Sequence, residues 1–532
     1  MKASGFRLTL AISAASGFIA LSYEILWYRA ISFVSWSIAS AFGVLLGAYL
    51  TGIAVGASLA GWLCKARPAD ADASASASQR GRELRLLAAF TLVANLVGFA
   101  VVPSLTRVVQ HHEWPWVLPV VGLAAALLGA VFPLVSHFGI AADARAGVQL
   151  SYVYVANIIG SAAGSLLTGF VLLDHLSYAA IALVLALAGV ALAAALGFLG
   201  SGAGTSPAAR AGILGVCAAA ALGLVVARGP AFDHLYERLL YRGHFAGQTF
   251  AEIVENRSGV ITVTDDGTVY GGGAYDGRFN VSLESDENLI LRAYGIGALH
   301  PAPRHVLMIG LSSGSWAQVI ANLPGVEALD IVEINPGYEQ IIARHPTVAS
   351  LLANPKVHIF TDDGRRWLLR HPDARFDFIV QNTTWNWRAH ITDLESVDYL
   401  EIVRRHLAPG ALFYFNTTES DDVQRTAAMT FPYALRVYNF MAVSESPVVW
   451  DDERWQSTLR GTIIDGAPAF DLSTEKGKAA FAESLARGRP NAATRPFESR
   501  SSVLARTAAA GLVTDDNMLP EWRQVLRFPP PP

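Results

Sequence analysis

The chain is poor in cysteine, methionine and charge. Of its 532 residues only 2 are cysteine and 5 methionine. Cys64 and Cys217 lie in or beside apolar segments. Two such residues exclude a disulfide scaffold and a cysteine-rich zinc site; they read as packing groups. Charged residues make up 16% of the chain and the net charge is −4, which excludes a general nucleic-acid binder. Hydrophobic residues take the place of the missing charge, at 52% with a mean hydropathy of +0.35. A water-soluble chain is less apolar than this, so lipid covers part of the molecule.

Long apolar runs occupy the first half. Seven candidate spans lie near 8–28, 37–63, 84–105, 115–138, 150–173, 178–199 and 211–228. The first is not a cleavable signal peptide, because further spans follow at once. Three glycine pairs, Gly43 and Gly47, Gly52 and Gly56, Gly160 and Gly164, have the spacing that lets helices approach closely in lipid. Glu24 stands late in the first span, flanked by Tyr23, Trp27 and Tyr28, and reads as a structural partner, with Arg29 one candidate, or else as a transport or substrate group. Asn157 is expected to make an interhelical hydrogen bond. The stretch from Ala69 to Gln79 reads as a small-residue linker.

Charge around the spans sets a conflict. Lys2, Arg7, Lys65, Arg67, Arg80, Arg82, Arg85, Arg145 and Arg210 share one side, against Arg29 and Arg107 on the other. The positive-inside rule places the N-terminus in the cytoplasm, and seven spans then carry the second half outside. A domain using a cytoplasmic metabolite would need an even count or the inverted orientation.

The second half changes character. The segment "FDHLYERLLYRGHF" is amphipathic and leaves the membrane. In "GVITVTDDGTVYGGGAYDGRF", Asp266-Gly267 between alternating strands signals a hairpin, and Gly271 to Gly273 mark a sharp turn. A helix is expected from Glu284 to Leu299. Then comes "HVLMIGLSSGSWAQVIANLPGVEALDIVEINP", a buried strand, a small-residue turn, a helix from about Trp316 to Leu323, and a second strand ending in Glu333. Such a turn lets a ligand approach the backbone, and a late acid suits ribose hydroxyls. Strand and helix keep alternating through "KVHIFTDDG", "RRWLLRH", "FDFIVQNT", "VDYLEIVRRHLAPG" and "ALFYFNTT", with Gly410 as the last helix's stop. That rhythm argues for a mainly parallel sheet, with Glu333, Asp363 and Asn382 at one edge. The expected organisation is a membrane domain over 1–228, a linker helix and small β-rich domain over 229–300, and an α/β Rossmann-like, methyltransferase-type domain with a C-terminal extension over 301–532.

The ordered motifs "GVITVTDDG", "YDGRFN", "HPAPRHVLMIGLSSG", "VEIN", "DDGRRWL", "FDFIVQN" and "YLEIVRRHLAPG" resemble the polyamine aminopropyltransferases, or spermidine synthase-like proteins. The spans "GFIALSYEILWYR" and "YVANIIGSAAGSLLTGF" look like those of the bacterial membrane-fused type, and "VTDDNMLPEW" is similar to the family's ending. The resemblance implies transfer of an aminopropyl group from decarboxylated S-adenosylmethionine to an amine, without a metal. It assigns the nucleoside loop to Gly310, Ser312, Ser313 and Gly314, the ribose to Glu333 and the adenine to Asp363. It also implies a multi-pass protein of the bacterial inner membrane with its soluble part on the cytoplasmic side; a homodimer is left open.

The departures fall where chemistry is done. Ser313 stands where the family has an Asp. The catalytic tetrad, with an Asp at each end in the family, here reads Asn382, Thr383, Thr384, Trp385. An amide has no useful basicity, and an indole offers an ammonium only its ring face. The family's helix Tyr and Glu align with Ile290 and Arg292. A desolvated ammonium without a partner costs several kcal/mol, so a dication such as putrescine fits poorly. Asp276, Asp377, Asp393, Glu395 and Asp398 are substitutes, and His390 titrates in the range of a replacement base. Three readings stay open. The first is a transferase using S-adenosylmethionine or its decarboxylated form on an unknown acceptor. The second is a catalytically retired nucleoside-binding module, and the third a transporter gated by its soluble part.

Overall fold

The computed structural model describes residues 3–64, 73–140, 143–201, 206–383, 385–488 and 497–523. Lys2, Lys65, Arg67, Thr384 and the start of the Ala69–Gln79 stretch lie outside them. Seven segments are long and apolar enough to cross a membrane: Gly5–Val34, Ser40–Trp62, Gly81–Val108, Trp114–Gly139, Ala146–His175, Tyr178–Leu199 and Pro207–Phe232. They are built from α1 (Ala3–Val34), α2 (Ser40–Leu63), α3 (Ala73–Val108), α4 (Leu118–Gly139), α5 (Ala146–Leu167), α6 (Leu173–His175), α7 (Tyr178–Leu199) and α8 (Pro207–Phe232). A π-helical turn, Thr168–Leu172, joins α5 to α6. From Ala73 onward the expected linker is the opening of α3, since alanine-rich sequence favours helix.

Two of the three glycine pairs are packing seams. A Cβ on Gly52 or Gly56 would collide with the carbonyl oxygens of Gly122 and Ala126 on α4. One on Gly160 or Gly164 would collide with those of Ala14 and Phe18 on α1. Nothing lies within 4 Å of a Cβ on Gly43 or Gly47, so that pair is not a seam. Asn157 Nδ2 donates to the Ser13 carbonyl at 3.0 Å, tying α5 to α1. No ion pair joins Glu24 to Arg29: five residues turn a helix through about 140°, which parts the two side chains. The Arg29 guanidinium instead donates to the Asn256 and Gly259 carbonyls across the domain junction.

After α9 (Leu235–Tyr241) the chain forms a four-stranded antiparallel sheet, β1 (Glu252–Asn256), β2 (Gly259–Val263), β3 (Thr268–Gly271) and β4 (Ala274–Arg278), in chain order. Gly267, Gly272 and Gly273 take positive φ in its two tight turns. The helix expected over Glu284 to Leu299 is broken into a 3-10 turn, Glu287–Leu289, then α10 (Leu291–Tyr294) and α11 (Ile296–Leu299). Asp286, Asn288 and Leu289 all take positive φ, which no α-helix accommodates.

The larger sheet has eight strands. β5 (His305–Ile309), β6 (Ala328–Glu333), β7 (Val357–Thr361), β8 (Phe376–Gln381) and β9 (Leu407–Asn416) run parallel in the order β7-β6-β5-β8-β9. β11 (Phe440–Ser444), β10 (Tyr433–Val437) and Phe497–Ser499 extend it antiparallel. The intervening helices are α12 (Ser315–Ala321), α13 (Gly337–Ile342), α14 (Gly364–Arg370) and α15 (Val397–Arg405). Gly410 does not stop α15. It sits inside β9 with φ +82°, where the pairing with β8 slips between Phe376 and Phe378, and relieves that bulge.

The two halves share a core. One apolar cluster runs from Trp27 and Phe33 through Tyr236, Val260 and Tyr270 to Trp387. Polar ties reinforce it: Ala389 N donates to the Ser37 carbonyl at 2.8 Å, and Glu255 accepts from Tyr178 N at 2.8 Å and the Tyr236 hydroxyl at 2.6 Å.

Candidate functional site

The site forms where β5, β6 and β8 end. Gly310 has φ +89°, and a Cβ there would come within 3.2 Å of the Asn382 carbonyl, so the β5 turn and the β8 end are pressed together. Glu333 organises this turn. Its two carboxylate oxygens accept from Leu311 N at 2.7 Å and Asn335 N at 2.8 Å. Burial nevertheless dominates and pushes its pKa up to about 7.

A cavity of about 630 Å3 opens over these strand ends. Gly310, Ser312, Glu333, Asp363, Asn382 and His390 line it. Ser313 and Gly314 do not. The Ser313 hydroxyl turns to the Arg278 carbonyl at 3.1 Å, and a Cβ on Gly314 would press on Ile342 at 2.8 Å. The helix is shorter than expected, and its first amide, Ser315 N, is met by Ser313 Oγ at 3.4 Å. Asp363 caps α14 by accepting from Arg366 N at 2.8 Å. His390 has φ +66° and a side chain 84% exposed, so it stands at the mouth rather than the reaction centre.

A second cavity of about 510 Å3 adjoins the first, and Asp276, Asn382 and Thr383 line both. Four amides stand in its wall, Asn288, Asn382, Asn416 and Asn439, with the carboxylates of Asp276 and Glu419. Arg292 is buried there, donating to Asn439 Oδ1 at 2.6 Å and stacking over Phe440 at 5.1 Å and Trp316 at 5.6 Å. Ile290 is fully buried in the core and faces neither cavity.

Asp276 is the carboxylate at the junction. Its Oδ2 accepts from the Tyr338 hydroxyl, and its backbone carbonyl from the Ser312 hydroxyl. Burial raises its pKa; the Tyr338 hydrogen bond and the nearby Arg388 guanidinium act against the rise. Of the other substitute acids, Asp377 accepts from His305 N at 2.9 Å and Asp398, on α15, from Asp515 N at 3.1 Å, and neither lines either cavity. Asp393 lines the first cavity beside His390, at 3.6 Å from its Nδ1. Glu395 is wholly buried, its pKa driven up by desolvation and by Glu521.

Sequence reasoning missed Tyr338, which holds Asp276, and the first-span residues Tyr28, Arg29 and Ser32, which line the larger cavity. Tyr338 lies on an unremarkable apolar helix. The spacing Ile25, Tyr28, Arg29, Ser32 was a signal in principle, because it marks one helix face. Among the described residues no group of three His, Cys, Asp or Glu side chains converges as a metal site would need.

No protein-family model matches the chain. It is 28% identical over 307 residues to the polyamine aminopropyltransferase of Mycobacterium tuberculosis, covering 55% of this chain and 55% of that protein. It is 34% identical over 88 residues to the polyamine aminopropyltransferase of Agathobacter rectalis, covering 16% of this chain and 30% of that one. The chain therefore spans about half the length, or less, of these curated relatives. Among solved structures it is similar to a spermidine synthase in complex with the transition-state analogue AdoDATO, with TM-score 0.33, 16% identity, and coverage of 46% of this chain and 87% of that chain. The spermidine synthase from Thermotoga maritima gives TM-score 0.32 and 17% identity, over 46% and 87% of the two chains. Over about half its length the chain is therefore similar in sequence to polyamine aminopropyltransferases.

Proposed function

We propose that the protein is a membrane-anchored transferase. It takes decarboxylated S-adenosylmethionine, or S-adenosylmethionine, and moves an aminopropyl or related group to an acceptor other than a simple diamine. The observation that carries this reading is the junction of the two cavities, whose shared wall holds Asp276 together with Asn382, the position where the resembling family has an acid. Glu333 keeps acceptor capacity for a ribose hydroxyl beyond the amides it already accepts. The acceptor nitrogen attacks the methylene next to the sulfonium. The nitrogen–carbon bond forms as the carbon–sulfur bond breaks, and its electron pair leaves on methylthioadenosine. Asp276 takes the proton that the nitrogen sheds, and Tyr338 steadies the carboxylate.

The membrane spans act as an anchor in a bacterial inner membrane, and the donor's cytoplasmic origin places the soluble part on that face. A second reading, a retired nucleoside-binding module, is favoured by one observation: Asn382 and Trp385 occupy the ends of the tetrad. Calorimetry on the full chain in detergent tests the shared premise. Heat is expected with decarboxylated S-adenosylmethionine and with methylthioadenosine, and no heat with either, or with S-adenosylmethionine, rejects both readings. Release of methylthioadenosine separates the transferase from the retired module.

A further inference from the structure

The larger cavity does not end at the sheet. It continues to the membrane helices, where Ile25, Tyr28, Ser32 and Phe33 of α1 form its far wall with Gly169 and Leu173. The α1 residues follow the three-and-four spacing of one helix face, so the wall is a single stripe pointing at the strand ends. Gly169 lies in the π-helical turn, a local widening found often at functional sites. Nothing lies within 4 Å of a Cβ built on it. Its neighbours Leu166, Phe170 and Val171 are exposed apolar residues on a peripheral span, where lipid is their solvent. The cavity thus grades from apolar side chains at Ile25 and Leu173 to polar groups at Asp276 and Asn382. Arg29, bound to backbone carbonyls in the same wall, marks the headgroup level between them.

We propose that the acceptor is a membrane-borne amphiphile carrying one nucleophilic amine, which enters sideways between α1 and the π-helical turn and presents its amine at the cavity junction. This rests on the transferase reading. The charges match it: Asp276 serves one amine, while Asn382 and Trp385 leave no carboxylate at the tetrad for a second ammonium. A hydrocarbon chain finds Ile25 and Leu173 at the membrane end of the wall, where a soluble diamine would strand its far charge. The amine displaces methylthioadenosine as above, its proton passing to Asp276, and the alkylated product withdraws to the bilayer.

The test uses the full chain in phosphatidylcholine nanodiscs with dodecylamine that carries a diazirine in its chain. After illumination, cross-links are mapped by peptide mass spectrometry, and calorimetry with decarboxylated S-adenosylmethionine is run on the same sample. Labelling is expected to concentrate on Ile25–Phe33 and Thr168–Leu173. It should fall at least fivefold in Gly169→Phe, whose added ring has open space to fill at the mouth. Labelling spread evenly over lipid-exposed helices, including Val216 and Leu222 of α8, and unchanged in the variant, overturns the proposal. Donor heat together with such even labelling leaves the transferase reading standing and rejects only the amphiphile. Absence of donor heat rejects the transferase reading, and this proposal falls with it.

Discussion

Trp36, in the turn between the first two spans, stacks on Trp387, in the loop after β8, with ring centroids 6.0 Å apart and planes 22° from parallel. Trp385 continues the stack at 6.0 Å from Trp387. A turn on the membrane side therefore carries the loop that replaces the tetrad. Trp36 and Ser37 both take left-handed φ, near +59° and +58°, a conformation worth keeping only where neighbours hold it.

Trp387→Ala is expected to destabilise the full chain by about 3–5 kcal/mol, the usual cost of emptying a buried tryptophan site. Residues 383–394 should become a site of early proteolytic nicking. Thermal unfolding in detergent and timed proteolysis measure both. An unchanged melting temperature with an uncut loop would show that the stack does not hold the loop.

Donor affinity should rise with pH. The Glu333 carboxyl is raised from 4.5 to about 7 by burial, so it is mostly neutral at pH 6 and mostly ionised at pH 8. Only the ionised form favours a sulfonium and accepts fully from ribose, which predicts about tenfold tighter binding across that interval. The stability sign is opposite. A carboxyl raised in the folded state binds its proton more tightly than in the unfolded chain. Its contribution is complete below about 4.5 and is lost as pH rises through about 7. Glu333→Gln should flatten both profiles, and a wild-type titration already flat from pH 6 to 8 contradicts the assignment.

Putrescine should be a poor acceptor, with affinity lower by roughly two to three orders of magnitude than a site with paired acids would give. Asn382→Asp should raise the rate with this diamine, because it restores a base beside the donor. Asp276→Asn should abolish methylthioadenosine release with any amine. Rapid turnover of putrescine by the unaltered protein would sink this account.

The soluble part is expected in the cytoplasm, so a fluorescent protein fused after Pro532 should glow and alkaline phosphatase fused there should stay inactive. This outcome runs against the loop charges. With seven spans, Arg82, Arg85, Arg145 and Arg210 lie on the face opposite the soluble part. An active phosphatase would obey those charges and remove the nucleoside donor from reach.

Much of the fold was legible because its signals are local. Apolar run length marked all seven spans, and the period change after residue 229 marked strands and helices. Glu333 and Asp363 declared themselves by standing at strand ends. The failures have a common cause: they depend on partners far away in sequence. The break in the Glu284–Leu299 helix comes from positive φ at Asp286, Asn288 and Leu289, which the side chains alone do not announce. Ser313 turns from the cavity because the Arg278 carbonyl of another sheet claims it. The far wall belongs to a span that periodicity placed in lipid, and nothing in Trp36 pointed to Trp387.

The contact between Ser37 and Arg388 spans 351 residues. At translation speeds of about 5–20 residues per second, α1 is made roughly 20–70 s before its partner loop. During that interval the stripe that will wall the cavity lacks the loop that covers it. The cavity is thus closed last, by the C-terminal half folding onto helices already made. Synthesis of the soluble half alone would yield a sheet whose chamber has no floor.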